Sequence, residues 1–209
     1  TTPPAAGTLA LDGFTDTGAT DGTSTDNDFA VVLSGQEPGS QVVLQRSTDG
    51  VTWSTTTGAQ TALPDGRYNF RAVVSDDAGN SSISNTVSVK IDRVAVTPTF
   101  DSRSTHDTTP ILGGTAGAGD VVTVTVGGAT YTVTADSVGR WRVDTGSATP
   151  TSGTLALGTP GAYPVTLAGL DGAGNTATAS GTLTIDPASI NLGDIADGAR
   201  SVITFFIVA

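Results

Sequence analysis

Short runs of alternating apolar and polar residues cover most of the chain and predict strands rather than helices. No window of about eleven residues carries the apolar stripe of an amphipathic helix. Turn residues such as Asp-Gly and Gly-Gly separate the runs. The pattern predicts strands at 8–11, 29–33, 41–45, 51–54, 68–74 and 84–91, and again at 98–100, 111–112, 121–126, 129–134, 140–143, 162–168 and 176–185.

The end of this strand pattern occurs twice. Residues 68–92 read YNFRAVVSDDAGNSSISNTVSVKID, and residues 163–186 read YPVTLAGLDGAGNTATASGTLTID. Tyr68, Asp76 and Asn80 each have an identical residue 95 positions later. A period of this size indicates tandem modules rather than one large core. The predicted division is a linker at 1–7, module 1 at 8–93, module 2 at 94–187, and a tail at 188–209.

The number of strands in each module is typical of a β-sandwich, with turn signals about every 8–12 residues. Tyr68 and Tyr163 each begin the penultimate strand, where a sandwich can carry a tyrosine corner, although an ordinary strand residue fits equally well. Trp53 and Trp141 lie in comparable strands and are predicted to pack in the cores.

The tail ends in the apolar, β-prone run SVITFFIVA at 201–209. The run is too short to cross a bilayer as a helix, which needs about 20 residues. It fits the first strand of a further module, a strand that pairs with this or another copy, or an artificial extension. The sequence does not choose among these three.

Acidic residues outnumber basic ones, and almost all of them are aspartates. The chain has 20 Asp plus Glu against 9 Lys plus Arg, and Glu37 is its single glutamate. Aspartate suits turns and calcium loops, whereas a helical acidic protein uses glutamate freely. The net charge of −11 argues against nucleic acid and against an anionic membrane as partners, and bound cations would relieve the self-repulsion.

Catalytic chemistry has little support in the sequence. There is no cysteine, which excludes disulfides, zinc–thiolate sites and a thiol nucleophile. His106 is the single histidine and lies in a polar loop, and neither a nucleophile elbow nor a phosphate-binding loop is present. We therefore predict that the chain is not an enzyme and that metal supplies the rigidity that disulfides would otherwise give.

Several segments resemble bacterial Ig-like repeats. They are LSGQEPGSQVVLQRSTDGVTW at 33–53, LGGTAGAGDVVTVTVGGATYTVTADSVGRW at 112–141, each D-x-AGN turn, and each terminal Ile-Asp. Such repeats form the extender stalks of giant RTX-type and biofilm-associated adhesins secreted by type I systems. The resemblance covers nearly all of 8–186 and implies an all-β chain of two tandem Ig-like Greek-key β-sandwiches plus a short β-prone segment. It also implies an extracellular location on the bacterial surface, neighbouring Ig-like modules of the same chain as partners, and host or matrix ligands bound through other domains.

Five aspartates crowd the loop between the first two strands of module 1. Their spacing resembles the calcium-binding opening loops of the family's extender modules. It is not an EF-hand, because Asn27 stands where that loop requires a bidentate glutamate. Carboxylates this dense repel one another unless they are solvated or metal-bound, so a solvated polar loop is the alternative. The five are Asp12, Asp16, Asp21, Asp26 and Asp28.

Strand topology predicts where the acidic residues meet. In a sandwich, the loop after the first strand and the end of the last strand share one pole, and the turn between the last two strands lies at the other. Asp171 and Asn175 of module 2 should therefore face Asp92 and loop 16–28 of module 1, which suits Ca²⁺. A plain turn is the alternative for each D-x-AGN copy. The predicted calcium ligands are Asp16, Asp21, Asp26, Asp28, Asp76, Asp77, Asp92, Asp171 and Asn175.

These observations predict a calcium-stiffened extender segment of a large surface adhesin that acts in adhesion or biofilm formation. One alternative is a carbohydrate- or protein-binding adhesive module, which would need an exposed aromatic platform or an apolar patch. Another is a subunit that assembles by strand exchange, with 201–209 completing a neighbour's sheet. The predicted burial of Trp53 and Trp141 favours the extender.

Overall fold

The computed structural model describes residues 2–187, and all the regular secondary structure in that range is β-strand. The all-β fold class is therefore confirmed. No helix that could cross a membrane is found among these residues. The run at 201–209, with its three alternative roles, lies outside the described residues.

Module 1 is a sandwich of two sheets. One sheet has the strand order β1-β3-β6 and the other β2-β9-β7-β4-β5, with β8 paired to β7. Its core contains Phe29 and Phe70, whose rings meet edge to face at 5.8 Å. The strands are β1 (Ala6–Asp12), β2 (Thr23–Ser24), β3 (Phe29–Gln36), β4 (Gln41–Ser47), β5 (Ser54–Thr55), β6 (Ala59–Gln60), β7 (Gly66–Ser75), β8 (Ser81–Ile83) and β9 (Val87–Ile91).

Module 2 repeats this plan. Its large sheet has the order β10-β17-β16-β12-β13-β15, and its small sheet pairs β11 with β14. Segment 98–101 extends the small sheet, because the Thr99 and Asp101 amides donate to carbonyls of β11. The strands are β10 (Arg103–Thr105), β11 (Ile111–Thr115), β12 (Val121–Val126), β13 (Ala129–Thr134), β14 (Arg140–Asp144), β15 (Ser152–Gly153), β16 (Gly161–Leu170) and β17 (Thr176–Ile185).

Most predicted strands are present, and the last strand of module 1 is the clearest departure. It was predicted as one strand over 84–91, but β8 ends at Ile83 and β9 begins at Val87, so residues 84–86 belong to neither strand. Side chains take over the backbone pairing there. Ser84 Oγ accepts from the Ala72 amide at 2.9 Å, and Asn85 bonds both the amide and the carbonyl of Leu9, at 2.7 and 2.9 Å. The interruption thus connects β1 to the other sheet.

Both tyrosines form tyrosine corners, which confirms that alternative. The Tyr68 hydroxyl donates to the Pro64 carbonyl at 2.9 Å, and the Tyr163 hydroxyl donates to the Thr159 carbonyl at 2.8 Å. Each bond fixes the turn that leads into the penultimate strand, β7 or β16.

Removing the Tyr68 hydroxyl should destabilise module 1. Tyr68→Phe keeps the buried ring but leaves the Pro64 carbonyl without its partner, which costs about 1 kcal/mol in the free energy of unfolding. Denaturant unfolding followed by circular dichroism measures the change. Val51→Ala is the control, because Val51 is 81% exposed. A loss no larger than that of the control would contradict the structural role of this corner.

The two tryptophans differ in burial. Trp141 is 2% exposed, donates its indole N–H to the Thr99 carbonyl at 3.1 Å, and stacks on Phe100. Trp53 lies just before the two-residue strand β5 and is only half-buried, with the Arg71 guanidinium 4.1 Å from its ring centroid. The prediction of core packing is correct for Trp141 and wrong for Trp53. An argument for the extender that relies on the burial of Trp53 is therefore lost.

Candidate functional site

The aspartate-rich loop of module 1 is held beside the end of the last strand of that module. Within this loop, β2 runs parallel to β9 and pairs Ser24 with Ile91, and the Asp92 amide donates to the Ser24 carbonyl at 2.9 Å. The Ser24 side chain is fully buried and its hydroxyl donates to the Thr15 carbonyl at 2.5 Å. These bonds fix the loop next to Asp92.

The same loop contacts module 2 at the turn between β16 and β17. Thr17 Oγ1 donates to the Ala173 carbonyl at 2.6 Å, and the Ala19 amide donates to the Gly172 carbonyl at 2.9 Å. Asn175 Nδ2 donates to the Asp92 carbonyl at 3.0 Å. The modules meet through the elements that the strand topology predicts, and we call this contact the junction.

Gly18 makes the close approach at the junction possible. Its φ is +75°, and a Cβ built there would lie 2.4 Å from the Gly172 carbonyl oxygen and 2.7 Å from the Gly174 nitrogen. Both the positive φ and the lack of space exclude other residues. The loop and the turn are therefore shaped for each other.

Four aspartates line a cavity of about 300 Å³ at the junction. Asp21 and Asp92 come from module 1, and Asp171 comes from the turn of module 2. The fourth, Asp120, is not among the residues predicted from the sequence. Asp120 directly precedes β12, whose first residue Val121 pairs with Leu170, the last residue of β16. This register places Asp120 next to Asp171, and it is the signal that could have identified Asp120.

Asp120 is the member of this set whose negative charge is buried and not compensated by a cation. Its side chain is 6% exposed, and Oδ2 accepts from the Gly117 amide at 2.9 Å. Burial raises the pKa of Asp120 above its ordinary value, and the carboxylates of Asp171 and Asp92 raise it further. Within residues 2–187 there are two ion pairs, and neither includes Asp120. Lys90, which also lines the cavity, pairs with Asp92 at 2.8 Å. A buried carboxylate here has no cationic partner.

The sequence of both modules decides the family. A family model for the bacterial Ig-like domain matches residues 5–93 and again residues 99–187. The chain belongs to the bacterial Ig-like domain family. No curated protein matches the chain significantly.

Solved structures similar to these Ig-like modules share little sequence with them. A tetra-tandem repeat in the extending region of a large adhesion protein is 19% identical, with a TM-score of 0.39, and the match covers 86% of this chain and 50% of that one. A structure of a 1.5-MDa bacterial ice-binding adhesin is 17% identical, with a TM-score of 0.33 and coverages of 87% and 65%. The chicken CNTN1 FN1–FN3 domains are 16% identical, with a TM-score of 0.37 and coverages of 90% and 69%.

The remaining aspartates predicted in the loop of the first Ig-like module have different surroundings. Asp16 lies near the junction, where Oδ2 accepts from the Gly22 amide at 2.9 Å and Oδ1 is buried without a hydrogen-bond partner. Asp26 and Asp28 instead bond backbone amides of their own module, those of Thr15 at 2.7 Å and Ala62 at 3.0 Å. None of these three aspartates lines the junction cavity.

The two D-x-AGN turns have the same geometry. The Asp76 amide donates to the Asn80 carbonyl, as the Asp171 amide does to that of Asn175, at 3.0 Å in both copies. Each aspartate also accepts from the side chain of its asparagine, at 2.6 Å in module 1 and 2.8 Å in module 2. That side-chain bond is the main reason why the pKa of Asp76 is lowered. The turn alternative therefore describes both copies, and it leaves metal binding open.

The donor set at the junction is made of oxygens alone. Oxygen-only sets suit hard cations, and Ca²⁺ accepts six to eight such ligands with flexible geometry. The buried, uncompensated Asp120 is a group that a cation in the cavity would satisfy. Among residues 2–187, no three acidic or histidine side chains already form a metal cage. The residues fit Ca²⁺ by their chemistry, and binding requires the carboxylates to move closer together.

Proposed function

We propose that the chain is an extender segment of a large RTX-type bacterial surface adhesin, secreted by a type I system and acting outside the cell in adhesion or biofilm formation. Calcium at the junction would hold the two Ig-like modules in a fixed relative orientation. The observation that carries the proposal is the buried Asp120 beside Asp92 and Asp171, in a cavity to which both modules contribute.

The proposed ligands come from four segments. Asp21 and Asp92 supply carboxylate oxygens from module 1, and Asp120 and Asp171 supply them from module 2. The ion supplies positive charge that offsets the mutual repulsion of these groups. At the opposite end of module 1, Asp76 and Asp77 are proposed to act in the same way toward a preceding module.

Calcium should raise the melting temperature of the purified chain. An ion that binds the docked, folded state with a Kd of about 10 μM adds about 2.7 kcal/mol at 1 mM, which is roughly 5–10 °C for two modules of this size. The measurement is a thermal melt in calcium and in chelator. Small-angle scattering of the same samples should show a narrower distribution of inter-module distances in calcium.

Magnesium at the same concentration is the control for simple charge screening. Mg²⁺ keeps its water ligands and requires a stricter octahedral geometry, so it should shift the melting temperature much less than calcium does. An unchanged midpoint in calcium would refute the proposed site. Equal shifts with both ions would show that calcium acts by charge screening and not by binding at this site.

A further inference from the structure

A second cavity lies on module 2, on the outer face of the small sheet. It is a cleft of about 410 Å³ over β11 and β14. Along β14 the exposed Arg140 and Arg142 alternate with the buried Trp141 and Val143. Gly113 of β11 pairs with Arg142, so no side chain stands opposite that arginine on β11. None of these residues lines the junction cavity.

The cleft is also lined by charged side chains in defined positions. Asp101 lies beside Gly113, because its amide donates to the Gly113 carbonyl at 2.9 Å. Arg103 is fixed by a bond from Nη1 to the Ile111 carbonyl at 2.9 Å. Asp136 accepts from the Val138 and Arg140 amides through one oxygen, Oδ1. The cleft thus presents guanidinium donors and carboxylate acceptors within one cavity.

The arginines of the cleft are unusual for this chain. The protein has 9 Lys plus Arg and a net charge of −11, yet Arg103, Arg140 and Arg142 share one small cleft. Within residues 2–187, both ion pairs are in module 1, and the side chains of Arg140 and Arg142 make no hydrogen bond. Same-face neighbours on a strand are about 6–7 Å apart, so two free guanidinium groups can reach one ligand. Planar guanidinium groups match the geometry of a carboxylate.

We propose that this cleft binds an acidic sugar of the uronate type. Arg140 and Arg142 bind its carboxylate, and the carboxylate of Asp101 accepts hydrogen bonds from its ring hydroxyls. The exposed Ile111 in the cleft wall gives the ring an apolar surface to pack on. A neutral sugar would leave the two guanidinium groups unused, and a purely anionic ligand would be repelled by Asp101 and Asp136.

The test is isothermal titration calorimetry of the full chain with trigalacturonate, at a constant calcium concentration. Arg142→Ala should weaken binding about tenfold or more, because it removes a charge-assisted hydrogen bond. Arg67→Ala, which removes an exposed arginine from module 1, should leave the affinity unchanged. Asp120→Asn should also leave it unchanged, so that a failure of the calcium proposal and a failure of this one remain distinguishable.

Two further ligands separate a sugar site from a simple anion site. The methyl ester of trigalacturonate keeps the hydroxyls without the charge and should bind at least about tenfold more weakly. Triglutamate keeps the charge without the hydroxyls. Asp101→Ala should weaken the binding of trigalacturonate. The proposal would be overturned if trigalacturonate did not bind, or if its methyl ester bound equally well. It would also be overturned if triglutamate bound more tightly than trigalacturonate and Asp101→Ala strengthened the binding of both acids.

Discussion

Replacing Asp120 with asparagine is expected to stabilise the calcium-free protein and to remove most of its stabilisation by calcium. The ionised carboxylate is buried beside Asp171 and Asp92 without a cation, so its charge destabilises the fold when no metal is bound. Asparagine retains an oxygen that can accept from the Gly117 amide. It lacks the charge that would hold Ca²⁺. The two effects therefore have opposite signs in one variant.

The pH dependence of the calcium-free protein gives a second readout of Asp120. Its pKa is raised in the folded state, so the folded protein binds a proton more readily than the unfolded chain does. The contribution of Asp120 to stability is therefore unfavourable above the raised pKa. It disappears as the pH falls through that value toward the ordinary 3.8. The Asn variant should lack this part of the pH profile.

Thermal melts in calcium-free and calcium buffers, at neutral and at acidic pH, measure both effects. Asp12→Asn is the matched control, because it makes the same change of charge at an exposed position of module 1 outside the junction cavity. Identical calcium shifts in the Asp120→Asn variant and the wild type would exclude Asp120 as a ligand.

Asp120 also shows where sequence reasoning about the site stops. Asp92, Asp171 and Asn175 could be predicted, because a repeated segment and the alternation of strands place them at facing poles. Asp120 has no counterpart in module 1, where Ser40 stands at the equivalent position just before β4. A search for signals that occur twice therefore misses it. Its position depends on the pairing of β12 with β16, which is a long-range contact.

The error at Trp53 has a local cause that the strand pattern did not resolve. The strands predicted at 41–45 and 51–54 leave room only for a tight turn between them. Instead Asp49 Oδ1 accepts from the Val51 and Thr52 amides, at 2.8 and 2.7 Å, and Ser47 Oγ accepts from the Gly50 amide. The hydrogen bonds from the Val51 and Thr52 amides, of which that of Val51 has the larger effect, lower the pKa of Asp49. These bonds extend the loop past Trp53 and keep that residue out of the core.

Replacing Trp141 with alanine is expected to produce the largest loss of stability of any substitution considered. The ring is 2% exposed in the core of module 2, and its N–H satisfies the Thr99 carbonyl. Loss of a buried aromatic side chain costs about 3–5 kcal/mol, while a small module has only about 5–15 kcal/mol of stability in total. Module 2 should therefore unfold at much lower denaturant concentration.

Each module contains one tryptophan, so the same substitutions provide site-specific probes. In Trp141→Ala the remaining tryptophan fluorescence comes from Trp53 and reports on module 1, and in Trp53→Ala it comes from Trp141 and reports on module 2. Trp53→Ala should cost about 0.5–1 kcal/mol, since it removes a half-exposed ring and its cation–π contact with Arg71. Equal losses in the two variants would contradict the different burial of the two rings.

The Trp141→Ala variant also measures how far the two modules depend on each other. Unfolding of module 2 removes the turn at 171–175 and Asp120 from the junction, so calcium should no longer stabilise module 1. At denaturant concentrations where only module 2 is unfolded, the Trp53 signal should then give the same midpoint with and without calcium. If calcium still raised that midpoint, the ion would bind to loop 16–28 alone. Calcium binding would then be a property of module 1 alone. The rigidity of the junction would have to come from the hydrogen bonds of Thr17, Ala19 and Asn175.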